Sequence, residues 1–151
     1  MKKLLYMLLL SAVSFTALSQ QRVAQYKSKE DKLNEEYCTG LFKTDHGTYF
    51  DMLNDDVALS ARSYINVLDW LQGRVAGLQI YTGRNNTMIP FIRGSRAGIY
   101  VDEMWRDADF LNVLPVTDIA MIKIIKGPFA GGFDSPGGVV AIYTIRGDEE
   151  E

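Results

Sequence analysis

The chain has 151 residues, of which 47% are hydrophobic and 23% are charged, and its formal net charge is −3. This length and composition suit one folded domain with a packed apolar core. The sequence pI is near 5.2, so the chain offers no strong basic field and no nucleic-acid partner is expected. Its single cysteine, Cys38, excludes an internal disulfide and is interpreted as a small buried hydrophobe.

The first residues have the pattern of an export signal. Lys2 and Lys3 precede an apolar run over Leu4 to Leu10, and the small residues Ala17 and Ser19 fit a cleavage site before Gln20. A membrane-spanning helix is the alternative, but the apolar run is shorter than the roughly 20 residues that a bilayer crossing needs. Residues 1–19 are therefore predicted to be a signal peptide, and the mature chain is expected in the periplasm or on the periplasmic side of the outer membrane.

The next segment, residues 20–36, is polar and rich in charge. A near-heptad spacing, which would suit a marginal helix, relates Val23, Tyr26, Glu30, Leu33 and Tyr37. Because one of these five positions is acidic, a polar leader without a packed face is the preferred interpretation. Residues 37–60 are expected to form loops and short extended pieces.

A helix is predicted from Tyr64 onwards. Ser63 can accept a hydrogen bond from a first-turn amide, and Gly77 can end the helix in the left-handed conformation. Gly73 inside the helix indicates either close approach of a neighbour or a break. The apolar stripe consists of Tyr64, Leu68, Leu71 and Val75.

Three short strands and one helical turn are predicted in the middle of the chain. The strands are 78–82, 89–93 and 98–102, and the turn covers 109–114. Pro90 places the second strand at a sheet edge or makes it a strand start.

Two long runs rich in β-branched residues follow, at 119–126 and 139–146. Runs of this kind, bounded by glycine and proline, are typical of central strands buried on both faces. Residues 127–138 between them contain five glycines and two prolines, which predicts a sharply turned loop. One domain over 37–147 is expected, and residues 148–151 form an acidic tail.

Several segments resemble, in order, the plug domain of TonB-dependent outer-membrane receptors, and within it the nutrient-importing SusC-like branch. The resemblance covers residues 64–147, and its specific signal is the order of the segments. They are Asn66–Ile80, Ile92-Arg93-Gly94, Ile99–Asp102, Pro115–Ile119, Ile122–Pro128 and Gly137–Thr144.

The resemblance implies an α+β domain, with a small mixed β-sheet and short helices. It also implies a non-enzymatic role in TonB-dependent nutrient uptake, with an outer-membrane barrel or another envelope protein as partner. Asp102 is followed by Glu103, where the family often has an Asp-Gly turn. The chain has too few strand candidates for a pore, so a free-standing plug without a barrel is expected. The alternative is the remnant of a truncated or split transporter.

Catalytic and cofactor chemistry finds little support in the sequence. The glycine loop lacks the Gly-Lys-Ser/Thr ending of a P-loop, and His46, the sole histidine, has too few evident partners for a zinc site. A small secreted hydrolase using His46 is a third alternative, but Ser95 and Ser135 do not lie in a nucleophile elbow. No cofactor, metal or catalytic residue is expected.

Paired acids raise the question of glycosidase chemistry, which needs two converging carboxyl groups. Asp102 and Glu103 are adjacent on a predicted strand and should point to opposite faces. Asp107 and Asp109 are interpreted, like them, as solvated surface acids.

Loop residues give the candidate surface for a partner or ligand, because loops on a rigid scaffold often carry function. Scattered surface charge is the alternative. Trp70 is expected to pack in the core and Trp105 at its rim. The candidate residues are Arg84, Arg93, Arg96, Trp105 and Arg106.

Overall fold

The structure is a computed structural model and describes residues 29–43, 46–127 and 135–147. The chain divides into two units, residues 1–32 and 33–151. Of the first unit only residues 29–32 are described. The predicted signal peptide, residues 20–28 of the leader, most of the glycine loop and the acidic tail lie outside the described residues.

The described part contains three α-helices, eight β-strands and three short 3₁₀ turns. The helices are α1 (Lys29–Tyr37), α2 (Asp55–Ala61) and α3 (Val67–Leu71). The strands are β1 (Thr48–Asp51), β2 (Leu78–Thr82), β3 (Met88–Ile92), β4 (Ser95–Arg96), β5 (Gly98–Val101), β6 (Met104–Arg106), β7 (Ile119–Lys126) and β8 (Gly138–Thr144). The 3₁₀ turns are Arg84–Asn86, Ala108–Asn112 and Val116–Asp118.

The main sheet has five strands in the order β1-β7-β8-β5-β6. The two predicted central strands, β7 and β8, pair antiparallel with Ile122 opposite Ile142. β8 also pairs with β5 in parallel, so the sheet is mixed. The predicted fold class, α+β with a small mixed sheet and short helices, is confirmed.

Both faces of the main sheet are covered, which explains why β7 and β8 are almost continuously apolar. On the first face, Ile122 and Ile142 belong to one core together with Leu68 and Leu71 of α3 and with Ile92 of β3. Trp70 of α3, which is 2% exposed, lies in this core as expected.

The second face of the sheet has a core of its own. Tyr143 and Ala141 of β8 pack in one cluster with Tyr37, Cys38 and Phe42. Leu33 and Tyr37, two of the near-heptad residues, are buried. The preference for a polar leader is therefore wrong for residues 29–36, which are helical. The helix is stabilised because its apolar side chains pack in the core on this face of the sheet.

Helix α3 is shorter than predicted and begins later. Its N-terminal cap is Asn66, whose side chain accepts a hydrogen bond from the amide of Leu68, whereas Ser63 donates to the carbonyl of Ser60. The helix ends at Leu71, and Gly73 has a φ of 79°. No atom lies within 4 Å of a methyl group built on Gly73, so this glycine breaks the helix instead of admitting a close neighbour.

A second sheet contains β2, β3 and β4 in that order, all antiparallel. Pro90 lies in the middle of β3, opposite Ile80 of β2. The expectation of an edge or a strand start is therefore wrong. β4 pairs only with Phe91 and Ile92 of β3. The pairing of β3 with β4 therefore requires no hydrogen bond from the nitrogen of Pro90, which has no hydrogen to donate.

Candidate functional site

Three of the five candidate residues line the same cavity. Arg96 belongs to β4, and Trp105 and Arg106 belong to β6; all three face a cavity of about 250 Å³. Arg84 lies in the 3₁₀ turn after β2, Arg93 lies in the turn after β3, and neither lines this cavity. The structure therefore divides the candidate set into a cavity group and two separate surface arginines.

The cavity forms where the two sheets meet beside the start of β5. Arg106 is paired with Ile99, which brings the end of β6 next to the start of β5 and therefore close to β4. Other described residues that line the cavity are Pro90, Gly98, Asp107, Ala108 and Ser135.

A two-residue turn brings β6 back along β5. Asp102 and Glu103 form this turn with φ values of 48° and 65°, the left-handed region that such hairpins require. The carboxylate of Asp102 accepts hydrogen bonds from the amide of Thr144 at 2.9 Å and from its hydroxyl at 2.8 Å. Glu103 Oε1 accepts from the amide of Gly40 at 2.9 Å.

These two carboxylates therefore have different partners and do not converge. The expectation that Asp102 and Glu103 do not converge is therefore correct. The reason differs from the one expected, because both acids lie in a turn and not on opposite faces of a strand. Of the other acidic pair, Asp109 Oδ1 accepts a hydrogen bond from the Thr87 hydroxyl, and Asp107 lines the cavity.

The described residues that line the cavity carry a surplus of positive charge. Among the described residues, the guanidinium groups of Arg96 and Arg106 have no ion-pair partner. The Arg106 guanidinium carbon lies 5.0 Å from the ring centroid of Phe110, and its Nε is buried without a hydrogen-bond partner in the described part of the chain. Asp107 is the acidic side chain among the described lining residues, so the charges of Arg96, Arg106 and Asp107 sum to one net positive charge.

The exposed end of the site is aromatic. Trp105 is 56% exposed and the adjacent Met104 is 54% exposed, in agreement with the expectation that Trp105 packs at a rim. Tryptophan and methionine are enriched at protein interfaces relative to the rest of the surface.

A second polar feature lies inside the protein, and sequence reasoning missed it. Lys123, in the middle of β7, is fully buried. Its Nζ donates to Asn34 Oδ1 at 2.5 Å and to the carbonyl oxygen of Phe42, and it lies 4.8 Å from the ring centroid of Tyr49. Its two hydrogen-bond acceptors lie 89 and 81 positions away in the chain, so no local pattern could reveal them.

Cys38 is completely buried beside Lys123, with its Sγ 4.0 Å from Nζ. Burial raises the pKa of the Cys38 thiol above its ordinary value, which favours the unreactive protonated form. The interpretation of Cys38 as a buried hydrophobe therefore agrees with its position in the second core.

The residues considered for metal or hydrolase chemistry lie in different places. His46 is exposed and lines a separate cavity of about 230 Å³ together with Lys126. Ser135 lines the arginine cavity instead. Within the described ranges, no group of three or more His, Cys, Asp or Glu side chains could hold a metal ion. The helices of the same ranges are too short or too polar to cross a membrane.

The family model described as "TonB-dependent Receptor Plug Domain" matches residues 55–139. The chain belongs to this family. The matched region of the plug domain contains all of the described cavity-lining residues, whereas Asn34 and Phe42 precede it. The predicted resemblance to the plug domain is confirmed, and the family match covers residues 55–139.

Solved structures of transport proteins share the fold of this plug domain. The RagAB peptide importer in the open-open state is 22% identical with a TM-score of 0.53, over 70% of this chain and 13% of that one. FyuA, the ferric yersiniabactin uptake receptor from Yersinia pestis, is 20% identical with a TM-score of 0.54, over 68% of this chain and 17% of the receptor.

A third structure, the siderophore receptor PirA from Acinetobacter baumannii, is 19% identical with a TM-score of 0.52, over 80% of this chain and 19% of that one. At these identities the likeness shows the fold of the plug domain alone. The chain spans less than a fifth of the length of each of these proteins. None of the curated proteins matches it.

Proposed function

We propose that this plug domain is a non-enzymatic interaction module on the periplasmic side of the outer membrane. It contacts an outer-membrane barrel or another envelope protein and takes part in TonB-dependent nutrient uptake. Membership of the plug family supports this role, because the family consists of domains of outer-membrane receptors.

The observation that carries the proposal is the cavity at the end of β6. It combines two guanidinium groups that have no ion-pair partner within the described residues with an exposed tryptophan. Arginine and tryptophan are enriched among the residues that dominate binding energy at protein interfaces.

A second candidate is the plug portion of a complete transporter. The favouring observation is that the similar structures carry this fold as 13–19% of a longer chain. Sequencing the DNA on both sides of the coding region separates the two candidates, because a transporter would require a long series of strand-like segments.

The first candidate is tested by affinity capture from detergent-solubilised envelopes. The wild-type domain and the double variant Arg96→Met, Trp105→Ala are immobilised in parallel, and the bound proteins are identified by mass spectrometry. We expect the wild-type domain to retain an outer-membrane or periplasmic protein and the variant to retain much less of it. Retention of no envelope protein by the wild-type domain would refute the proposal.

A further inference from the structure

The outer edge of β6 is available for pairing. β6 is the last strand of the main sheet, and within the described residues nothing pairs with its outer side. Val101 and Met104 flank the two-residue turn and therefore form a hydrogen-bonded pair. The next pair, Tyr100 and Trp105, is the non-hydrogen-bonded kind. The backbone N–H and C=O of Trp105 consequently point outwards, where an added strand could bind them.

The charge of the adjacent cavity selects the chemistry of its occupant. Arg96 and Arg106 offer planar arrays of N–H donors that match a carboxylate or a phosphate. Asp107 lines the same cavity and repels a second negative charge. The one net positive charge on these described lining residues therefore favours a singly charged carboxylate over a phosphate dianion.

The volume of the cavity limits the size of its occupant. Pockets for drug-sized ligands and cofactors usually measure about 300–1,000 Å³, whereas this cavity measures about 250 Å³. It accommodates one acidic side chain better than a whole cofactor.

We infer that this site binds an extended segment of a partner protein, which adds to β6 at Trp105 and places an aspartate or glutamate carboxylate between Arg96 and Arg106. Side chains alternate along a strand, so residues on either side of the one that pairs with Trp105 share the face of Arg106. An acidic residue at one of those positions reaches the cavity. The inference deepens the proposed function and rests on it, because the segment belongs to the envelope partner.

The test uses an end-blocked, fluorescently labelled peptide of sequence TVEVT and its matched control TVQVT. In the control, glutamine replaces glutamate, which removes the negative charge and leaves the size of the side chain almost unchanged. Binding to the full chain is measured by fluorescence anisotropy. We expect TVEVT to bind about tenfold or more tightly than TVQVT, the factor that a charge-assisted hydrogen bond provides. Unlabelled butyrate, which carries one carboxylate without the extended backbone, should compete only at much higher concentration.

Arginine variants of the protein test where the peptide binds. Arg96→Met, at an exposed residue, should remove the preference for the glutamate peptide, and Arg106→Lys, which keeps the charge, should reduce it. Arg84→Met is the matched control because Arg84 is an exposed arginine outside the cavity, and it should leave the preference unchanged. Circular dichroism of each variant verifies that it is folded.

Three results would overturn the inference. They are equal affinity for the two peptides, equal loss from Arg84→Met and Arg96→Met, and competition by butyrate as effective as that by the peptide, which would make this a small-molecule site. A failure of the inference can be distinguished from a failure of the proposed function. If an envelope protein is captured equally by the wild-type domain and the Arg96→Met variant, the interaction role holds and the cavity is not its binding site.

Discussion

Lys123 Nζ lies 2.5 Å from Asn34 Oδ1, so a lysine at the centre of the main sheet is held by a side chain of helix α1. The carbonyl oxygen of Phe42 accepts from the same ammonium group. Burying a charge is costly unless hydrogen bonds compensate it. The segment from Asn34 to Phe42 therefore supplies the acceptors that make a lysine tolerable on the second face of the sheet.

A double-mutant cycle between Asn34 and Lys123 should reveal strong coupling. Asn34→Ala leaves a buried ammonium with one acceptor fewer, and Lys123→Met leaves the acceptors without that donor. We expect each single variant to lose about 1–3 kcal/mol of unfolding free energy. The double variant should lose at least about 1 kcal/mol less than the sum, because the second change removes a group already deprived of its partner. Urea denaturation measures all three values.

The matched control for this cycle is Asn112→Ala combined with Lys123→Met. Asn112 accepts a hydrogen bond from Asn66 at 2.8 Å and, among the described residues, is not a hydrogen-bond partner of the buried lysine. We expect additive losses there. Additivity in the Asn34 cycle as well would show that the Asn34–Lys123 contact contributes nothing to stability.

The protein should lose stability at alkaline pH. Burial raises the pKa of the Cys38 thiol and, more strongly, that of the Tyr143 hydroxyl. In the unfolded chain these groups release their protons near their ordinary values of 9.0 and 10.0, while the folded protein retains them. Ionisation therefore favours the unfolded state, and the unfolding free energy should fall as pH rises above about 9, by at most ~1.4 kcal/mol per pH unit for each group.

Tyr143→Phe and Cys38→Ala should each flatten this alkaline decline in urea titrations between neutral and strongly alkaline pH. At neutral pH, Tyr143→Phe should change stability by less than about 1 kcal/mol, because the side-chain partner of the Tyr143 hydroxyl in the described part of the chain is the Cys38 thiol, a weak hydrogen-bonding group. An unchanged pH dependence in both variants would mean that other groups cause the decline.

Two glycines with positive φ should respond differently to alanine. At Gly138, φ is 120° and an added methyl carbon would lie 2.1 Å from the carbonyl oxygen of Ile125. At Gly73, φ is 79° and no atom lies within 4 Å of the added carbon. Gly73→Ala should therefore cost only the backbone strain of about 1–2 kcal/mol. Gly138→Ala should cost about 4 kcal/mol or more, or prevent folding, because backbone atoms of the central strands would have to move. Thermal denaturation gives both values, and similar losses would contradict the packing at the start of β8.

Glu103 has two opposing effects on the β5–β6 turn. Its φ of 65° is unfavourable for a side chain, but its carboxylate accepts a hydrogen bond from Gly40. Glu103→Ala loses the bond and keeps the strain, whereas Glu103→Gly loses both. We expect the glycine variant to be more stable than the alanine variant by about 1 kcal/mol. If the alanine variant is the more stable of the two in urea denaturation, the turn does not have the left-handed geometry described.

The central strands could be predicted from the sequence because long β-branched runs bounded by glycine and proline have few alternative structures. The start of α3 could not, since Ser63 and Asn66 are both good cap residues and only the tertiary structure selects between them. Ile65 is 87% exposed, whereas Val67 and Leu68 are buried, so the buried stretch that forms α3 begins only after Ile65. Lys123 resembles an exposed charge in the sequence, because its acceptors come from distant positions.

Only part of the candidate site could be predicted from the sequence. Arginines in loops indicate a binding surface, but composition does not tell which loops converge. The hairpin turn at Asp102 and Glu103 brings Arg106 towards Arg96, while Arg84 and Arg93 lie on other turns of the second sheet. Only the register of β5 with β6 decides this separation.

Site-specific photo-crosslinking in living cells tests the interaction role most directly. A photoreactive amino acid replaces Trp105 in one variant and Gln72, which is exposed and lies outside the cavity lining, in another. We expect illumination to join position 105, and not position 72, to an outer-membrane or periplasmic protein that mass spectrometry identifies. The absence of any adduct at position 105, or the same adducts at both positions, would contradict a partner-binding surface at the end of β6.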